Sequence, residues 1–309
     1  MSSSSSSPLL STARSSILKA ASMLSYHAYT IFLFSKSDIK TTLIPVSFFA
    51  LGAAPLSPTR SLSHALQSIL WIYLHVFHFN LCNQVRDPME DKRNKPWRPL
   101  PSGRITLANA IRLKRIAITA CLLLSLCYSP IVFYSSAFFA ALVPMYHELH
   151  GDQHWLSKNL MNAVGYACFA IGSTLIASAD RYKLDFVSSL SIFVISSILA
   201  TTIQAQDFQD VEGDAEVGRK TLPIVFPNLS RYTPLISLLL WSLYLTIIWE
   251  ISLPSSIAFT CLALIVGVRY YFWRSVKDDE WSYFLYNIWL AIAFSMPGYW
   301  RMYKESAAL

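Results

Sequence analysis

Long apolar runs, broken by short polar ones, repeat along the whole chain. A helix crosses the hydrocarbon of a bilayer with roughly 17–25 apolar residues. Runs of that kind fall near 40–57, 61–86, 105–127, 129–148, 159–179, 184–206, 232–251, 255–273 and 281–300. They predict an all-α integral membrane protein, a bundle of nine transmembrane helices joined by mostly short loops. Pro45 interrupts the first run. Ahead of it, "SMLSYHAYTIFLFSK" (22–36) reads as a helix lying in the interface. The expected organisation is a serine-rich disordered tail over 1–21, a single membrane domain over 22–303 and a short tail over 304–309. Residues 1–37 hold no acid and many serines, which also suits a transit peptide.

Composition agrees with the pattern. Only 14% of the 309 residues are charged and 54% are hydrophobic, with a mean hydropathy of +0.40. Soluble domains carry about 25% charged residues. The net charge of +7 is distributed by topology. Of the 25 bases, only Arg60, Arg181, Lys183, Arg301 and Lys304 fall on one side of the predicted bundle. The other side holds the N-terminal tail and the loops after spans 2, 4, 6 and 8, and the positive-inside rule places it in the cytosol. The membrane expected is the endoplasmic reticulum in preference to the mitochondrial inner membrane. Nucleic acid is not needed to explain the bases. Cys82, Cys121, Cys127, Cys168 and Cys261 lie inside predicted spans without CxxC spacing, as small buried apolar residues do.

The 18 acids are not scattered. One cluster is Asp87, Glu90 and Asp91, where Asn83, Asp87 and Asp91 share a helical face that Asn80 joins. The other is "QDFQDVEGDAEVGRKTLP" (206–223), where Asp207, Asp210 and Asp214 form a second stripe and Gly213 marks a place for the helix to loosen. Four crossings separate the clusters, so both emerge on the same side, as a cap of two acidic loops. Carboxylates near a helix C-terminus oppose the macrodipole, and converging carboxylates repel unless a cation neutralises them. Mg²⁺ characteristically joins one or two carboxylates to a substrate phosphate. Glu216, Asp278, Asp279 and Glu280 read as ordinary helix-end acids. Arg98, Lys158, Arg219 and Lys220 lie near the stripes in sequence or depth and suit phosphate oxygens. Lys92, Lys95 and Lys277 read as topogenic charge. The combination describes a site for a diphosphate head on a greasy tail.

"NQVRDPMED" resembles the NDxxDxxxD motif of the UbiA superfamily of intramembrane prenyltransferases, and "DFQDVEGD" resembles its DxxDxxxD motif. "NKPWRPLPSGRIT" and "GRKTLP" resemble the segments that follow those motifs. Gln84 departs from the pattern, where the family has Asp. The resemblance implies that Asn83, Asp87, Asp91, Asp207, Asp210 and Asp214 hold Mg²⁺ on a polyprenyl diphosphate. Arg98, Lys158, Arg219 and Lys220 would contact its oxygens, with Tyr146 nearby. Ionisation then leaves an allylic cation inside the bundle. Most of the superfamily passes the prenyl group to an aromatic or lipid acceptor. The run "NQ…ED..NKPWRP.PSG" resembles a fungal branch of UbiA-type terpene cyclases, in which the chain's own double bonds capture the cation, so cyclisation is the expected outcome and prenyl transfer the alternative. A transporter is the remaining class, since intramembrane acids often mark ion pathways, but these acids sit at helix ends. Tyr73 and Phe77 lie near the Asn80 face and are expected cavity walls for a cation. His75 and His78 read as packed residues before they read as a proton acceptor.

Overall fold

The computed structural model describes residues 8–305 apart from 56, 58–60, 87, 89, 90, 93 and 94, with side chains from residue 14. Asp87 and Glu90 of the first acidic cluster therefore lie outside the described residues. The described chain is helical, and its one β feature is an isolated bridge between His154 and Lys220.

Helix α1 (Pro8–Ser35) leads into a π-helical turn (Ile39–Leu43) and α2 (Ile44–Ala53). There follow α3 (Leu62–Arg86), α4 (Leu107–Leu126), α5 (Pro130–His147), α6 (Trp155–Ala177) and α7 (Phe186–Thr202). A 3₁₀ segment (Ile203–Phe208) prolongs α7, and two short helices, α8 (Val211–Glu216) and α9 (Leu222–Val225), follow it. The chain ends with α10 (Tyr232–Ile248), α11 (Leu253–Phe272) and α12 (Val276–Trp300). Several starts are set by side chains that accept from orphan amides. Thr106 caps Asn109, Ser129 caps Val132 with Pro130 following, and Asp185 caps Ser188.

Six of these helical stretches are long and apolar enough to cross a membrane, by length and composition. The other three predicted spans are helical but fall short of that standard. Residues 39–53 are too few, α4 carries Arg112, Lys114 and Arg115, and Asn287 with several tryptophans and tyrosines dilutes α12. The interfacial helix expected over 22–36 runs from Pro8 to Ser35, taking in part of the serine-rich segment. The second acidic stripe does not lie on one continuous helix, because the chain loosens at Ile203, ten residues before Gly213.

Close approach holds the bundle together, as membrane helices require in the absence of a hydrophobic drive between them. A Cβ on Gly172 would meet the Trp71 ring at 2.3 Å, and that indole donates to the Ser125 hydroxyl at 2.7 Å. A Cβ on Gly298 would meet the Gly52 Cα at 2.9 Å, so α2 and α12 touch backbone to backbone. Phe193, Ile247, Leu253 and Phe272 stand outward, as a lipid-facing surface demands. The ends of α3, α5 and α7 and the starts of α6 and the π-helical turn gather at one end of the bundle, around a cavity.

Candidate active site

Both acidic motifs open into that cavity, which has a volume of about 400 Å³. Asn80 and Asn83 reach it from α3, Asp91, Lys95 and Arg98 from the turn beyond, and Asp207, Asp210 and Asp214 from the far end of α7 and α8. Helix α6 forms one wall with Lys158, Met161, Asn162, Gly165, Tyr166 and Phe169, spaced as one helical face. Deeper in, Val76, Phe139, Val143 and Ile203 make the lining apolar. The cavity thus has a charged end and a greasy body.

At the charged end the acids are matched by bases. Arg98 Nη1 donates to Asp91 Oδ1 at 2.6 Å, with both side chains buried. Lys158 Nζ donates to Asp207 Oδ1 at 2.6 Å and lies 3.9 Å from Asp214 Oδ2. Arg219 Nη1 donates to Asp214 Oδ1 at 2.9 Å. Repulsion among the carboxylates, which the sequence assigned to a metal ion to relieve, is here relieved by side-chain cations. Asp210 stands exposed at the mouth. The break at Ile203 keeps the stripe in line. Asp210 N donates to Asp207 O at 3.2 Å, an i to i+3 turn, and Asp214 N donates to Asp210 O at 2.8 Å, one α-turn further.

The donor set fits a hard divalent cation. Asp207 Oδ2 and Asp214 Oδ2 are buried without hydrogen-bond partners among the described residues, and both residues line the cavity. Carboxylate oxygens are what Mg²⁺ uses when phosphate completes its shell. Among the described residues, no three of His, Cys, Asp and Glu already form a metal cluster. The substrate's own oxygens belong to such a shell.

Three expected residues lie elsewhere. Tyr73 and Phe77 do not line the cavity. They stack on each other, and Phe77 packs edge-on against Phe34 of α1. The inward face of α3 carries Val76, Phe79, Asn80 and Asn83, and at 100° per residue Tyr73 and Phe77 fall about 70° and 110° from its centre. Lys220 has an exposed side chain and serves through its backbone, which donates to Gln153 O at 2.6 Å and accepts from Trp155 N at 2.9 Å. Gln84 turns away as well, donating to the Phe34 carbonyl at 3.0 Å. His75 is hydrogen-bonded to Trp71 O and Ser136 Oγ, the packed role expected of it. Tyr146 does line the cavity and accepts from Asn162 at 3.3 Å.

Other residues were not foreseen. Lys95, read as topogenic, faces the cavity, as do Asp38, His147, Asp152, Tyr166 and Tyr283. The face of α6 that begins at Lys158 predicts Tyr166 and Phe169 by periodicity alone. Asp152, in the loop between α5 and α6, belongs to no motif and no period.

The whole is a helical membrane bundle with paired acids and bases at one end of an apolar cavity. The chain belongs to the UbiA prenyltransferase family, whose model matches residues 42–291. It is 31% identical to fumagillin beta-trans-bergamotene synthase of Aspergillus fumigatus, over 89% of this chain and 94% of that one. Two Hericium erinaceus proteins are also similar. Diterpene cyclase eriG is 36% identical over 64% of each chain, and polyprenyl transferase eriF is 32% identical over 65% of this chain and 70% of its own. A solved UbiA homologue from Archaeoglobus fulgidus, bound to GPP and Mg²⁺, shares the fold with a TM-score of 0.61 at 14% identity, over 86% of this chain and 99% of that one. The chain is an integral membrane enzyme of the terpene cyclase or prenyltransferase kind.

Proposed function

We propose that this chain ionises a polyprenyl diphosphate, with Mg²⁺, and cyclises the resulting cation to a terpene hydrocarbon. The observation that carries the reading is the convergence of both aspartate motifs with Lys158, Arg98 and Arg219 at the polar end of one cavity whose body is apolar and aromatic. We read it as one enzyme domain spanning the bilayer, with nine crossings and the motifs facing the cytosol at the endoplasmic reticulum. Asn83, Asp87, Asp91, Asp207, Asp210 and Asp214 are the proposed ligands of Mg²⁺, which when bound supplies positive charge to the leaving diphosphate.

Lys158, Arg98 and Arg219, with Lys95, share the negative charge that grows on the diphosphate as the C1–O bond breaks and its electron pair leaves with oxygen. In the pairing seen here Lys158, Arg98 and Arg219 are each held by an acid. Substrate entry would exchange those partners, the bases turning to phosphate oxygens and leaving the acids able to hold Mg²⁺. Phe139, Tyr166 and Phe169 line the cavity, and a ring face turned to a desolvated cation stabilises it by about 2 kcal/mol. An internal double bond then attacks the allylic cation, and loss of a proton from a neighbouring carbon to a diphosphate oxygen leaves a hydrocarbon.

Similarity over nearly the whole length to a bergamotene synthase favours cyclisation, and the similarity to a polyprenyl transferase sustains transfer as the second reading. Membranes bearing the protein are incubated with geranyl, farnesyl or geranylgeranyl diphosphate and Mg²⁺ without acceptor. Hydrocarbon and free diphosphate are expected, and EDTA should abolish both until Mg²⁺ is restored. Turnover that appears only with an aromatic or lipid acceptor identifies a transferase.

A further inference from the structure

The loop "LHGDQH" (149–154), between α5 and α6, carries an acid that no motif includes. It is folded tightly against its neighbours. Gly151 N donates to Met145 O at 3.1 Å, Asp152 N to Tyr146 O at 3.2 Å, and Gln153 N to His150 O at 3.1 Å. His150 adopts a left-handed conformation, with φ of 60°, and a Cβ on Gly151 would meet the Met161 sulfur at 2.3 Å. The backbone of Lys220 laces the loop to the segment after the second motif from both sides. The Asp152 carboxylate is therefore set at a fixed point, and it is 2% exposed.

One of its oxygens, Oδ2, accepts from two guanidinium groups. Arg86 Nη1, from the end of α3, lies at 3.0 Å. Arg219 approaches with Nε at 3.2 Å and Nη2 at 3.1 Å. Arg219 reaches Asp214 with its remaining terminal nitrogen, Nη1. Its whole fork is thus oriented from two sides, by Asp152 on the Nε edge and by Asp214 at the tip. Arg86 does not line the cavity and backs Asp152 from behind, whereas Asp152 and Arg219 both line it. A chain of charges runs Arg86–Asp152–Arg219–Asp214–Lys158–Asp207, joining the helix of the first motif to the second. A free arginine side chain samples many rotamers, and ordering it opposes binding. Fixing the Nε edge removes most of that cost before an anion arrives and leaves the tip to be exchanged.

We propose that Asp152 is a positioning residue that aims Arg219 at the leaving diphosphate. This rests on the reading above that the head group bound here is a diphosphate. When substrate enters, Arg219 keeps its Nε edge on Asp152 while Nη1 passes from Asp214 to a phosphate oxygen, which frees Asp214 for the cation.

The test is a double-mutant cycle on membrane-embedded protein, read by kcat, by KM and by the Kd for inorganic diphosphate with Mg²⁺. Asp152→Asn keeps the shape and is expected to lower kcat at least tenfold and to weaken inorganic diphosphate binding. In an Arg219→Ala background the same substitution is expected to change neither quantity further. Arg219→Lys retains the charge but cannot hold Asp152 with two nitrogens, so it should lose kcat as Asp152→Asn does; it also serves if Asp152→Asn fails to fold. Losses from Asp152→Asn that are equally large with and without Arg219 overturn the proposal. So does a variant with a lower melting temperature but unchanged kcat and diphosphate affinity per folded molecule. If the unmodified protein binds no inorganic diphosphate and consumes no prenyl diphosphate, the functional reading fails, and this inference with it.

Discussion

Single side chains decide what the cavity accepts. Asp87 and Asp210 sit centrally in their stripes, and Asp87→Ala or Asp210→Ala is expected to reduce product formation below detection in membranes where the protein still inserts; near-normal turnover by either would remove the metal assignment. Gly165 is a subtler case. Glycine inside a helix costs about 1 kcal/mol relative to alanine, so crowding ought to justify it, as it does at Gly172 and Gly52. Yet a Cβ on Gly165 would meet only Phe139 at 3.6 Å and Leu142 at 3.7 Å, which is ordinary contact. All three residues line the cavity, so the missing side chain leaves volume in the apolar body. Gly165→Ala is expected to fold and turn over normally. Gly165→Leu should lower the kcat/KM of long prenyl diphosphates relative to short ones by roughly ten- to a hundredfold, measured by competition between chain lengths. At this scale, helical periodicity put Asn80 and Asn83 on the face that lines the cavity, and Asp91, Lys158, Asp207, Asp210 and Asp214 line it too, although the second stripe does so across a broken helix. Asp152 was not legible in the sequence, because a loop acid has no register and its partners lie 66 and 67 residues away. Tyr73 and Phe77 were misplaced because closeness to a polar face on a helical wheel does not say which neighbouring helix covers the adjoining face.

Elements were read from apolar length, and length marked them well wherever a helix runs through unbroken. The 3₁₀ segment at Ile203–Phe208 escaped that reading because its causes are tertiary. Tyr270 donates to the carbonyl of Ala205 at 2.9 Å, Tyr286 meets the Thr202 hydroxyl at 2.9 Å, and Asn159 donates to Gln204 at 3.1 Å. None of these partners is local. At the opposite end of the bundle Arg301 does comparable work. Fully buried, it donates to Ala53 O at 2.7 and 2.9 Å and to both oxygens of Asp185 at 2.8 Å, joining the ends of α2 and α12 to the start of α7. Arg301→Met leaves the Ala53 carbonyl and the Asp185 carboxylate to Ser188 alone and is expected to cost about 1–3 kcal/mol, seen as a lower melting temperature in detergent. Partial burial pushes the Asp185 carboxyl up, but hydrogen bonds from Ser188 and the Arg301 guanidinium outweigh it and hold it below the ordinary carboxylate range. A depressed value means stability that is complete above the unfolded pKa of about 3.9 and lost as pH falls through the folded one. The melting-temperature gap between the protein and Asp185→Asn should therefore be constant at neutral pH and close in acid.

For the whole molecule, the asymmetry of the bases sets the sidedness to be expected. Asn228 lies in the sequon "NLS" after the second motif, on the side expected in the cytosol, and should carry no glycan; a mass shift on deglycosylation would invert the topology. The short helix α2, early in the membrane domain, and the last helix, α12, meet where Gly52 and Gly298 allow their backbones to touch. The bundle is thereby closed by two segments far apart in the chain, and the turn that enters α2 brings Asp38, Thr41 and Thr42 to the cavity wall. During synthesis, then, this wall must wait in the bilayer for a partner that leaves the ribosome some 245 residues later. A nascent chain halted before Val276 would hold both acidic motifs and still present an unsealed barrel, whereas supplying the last helix as a separate peptide should restore turnover.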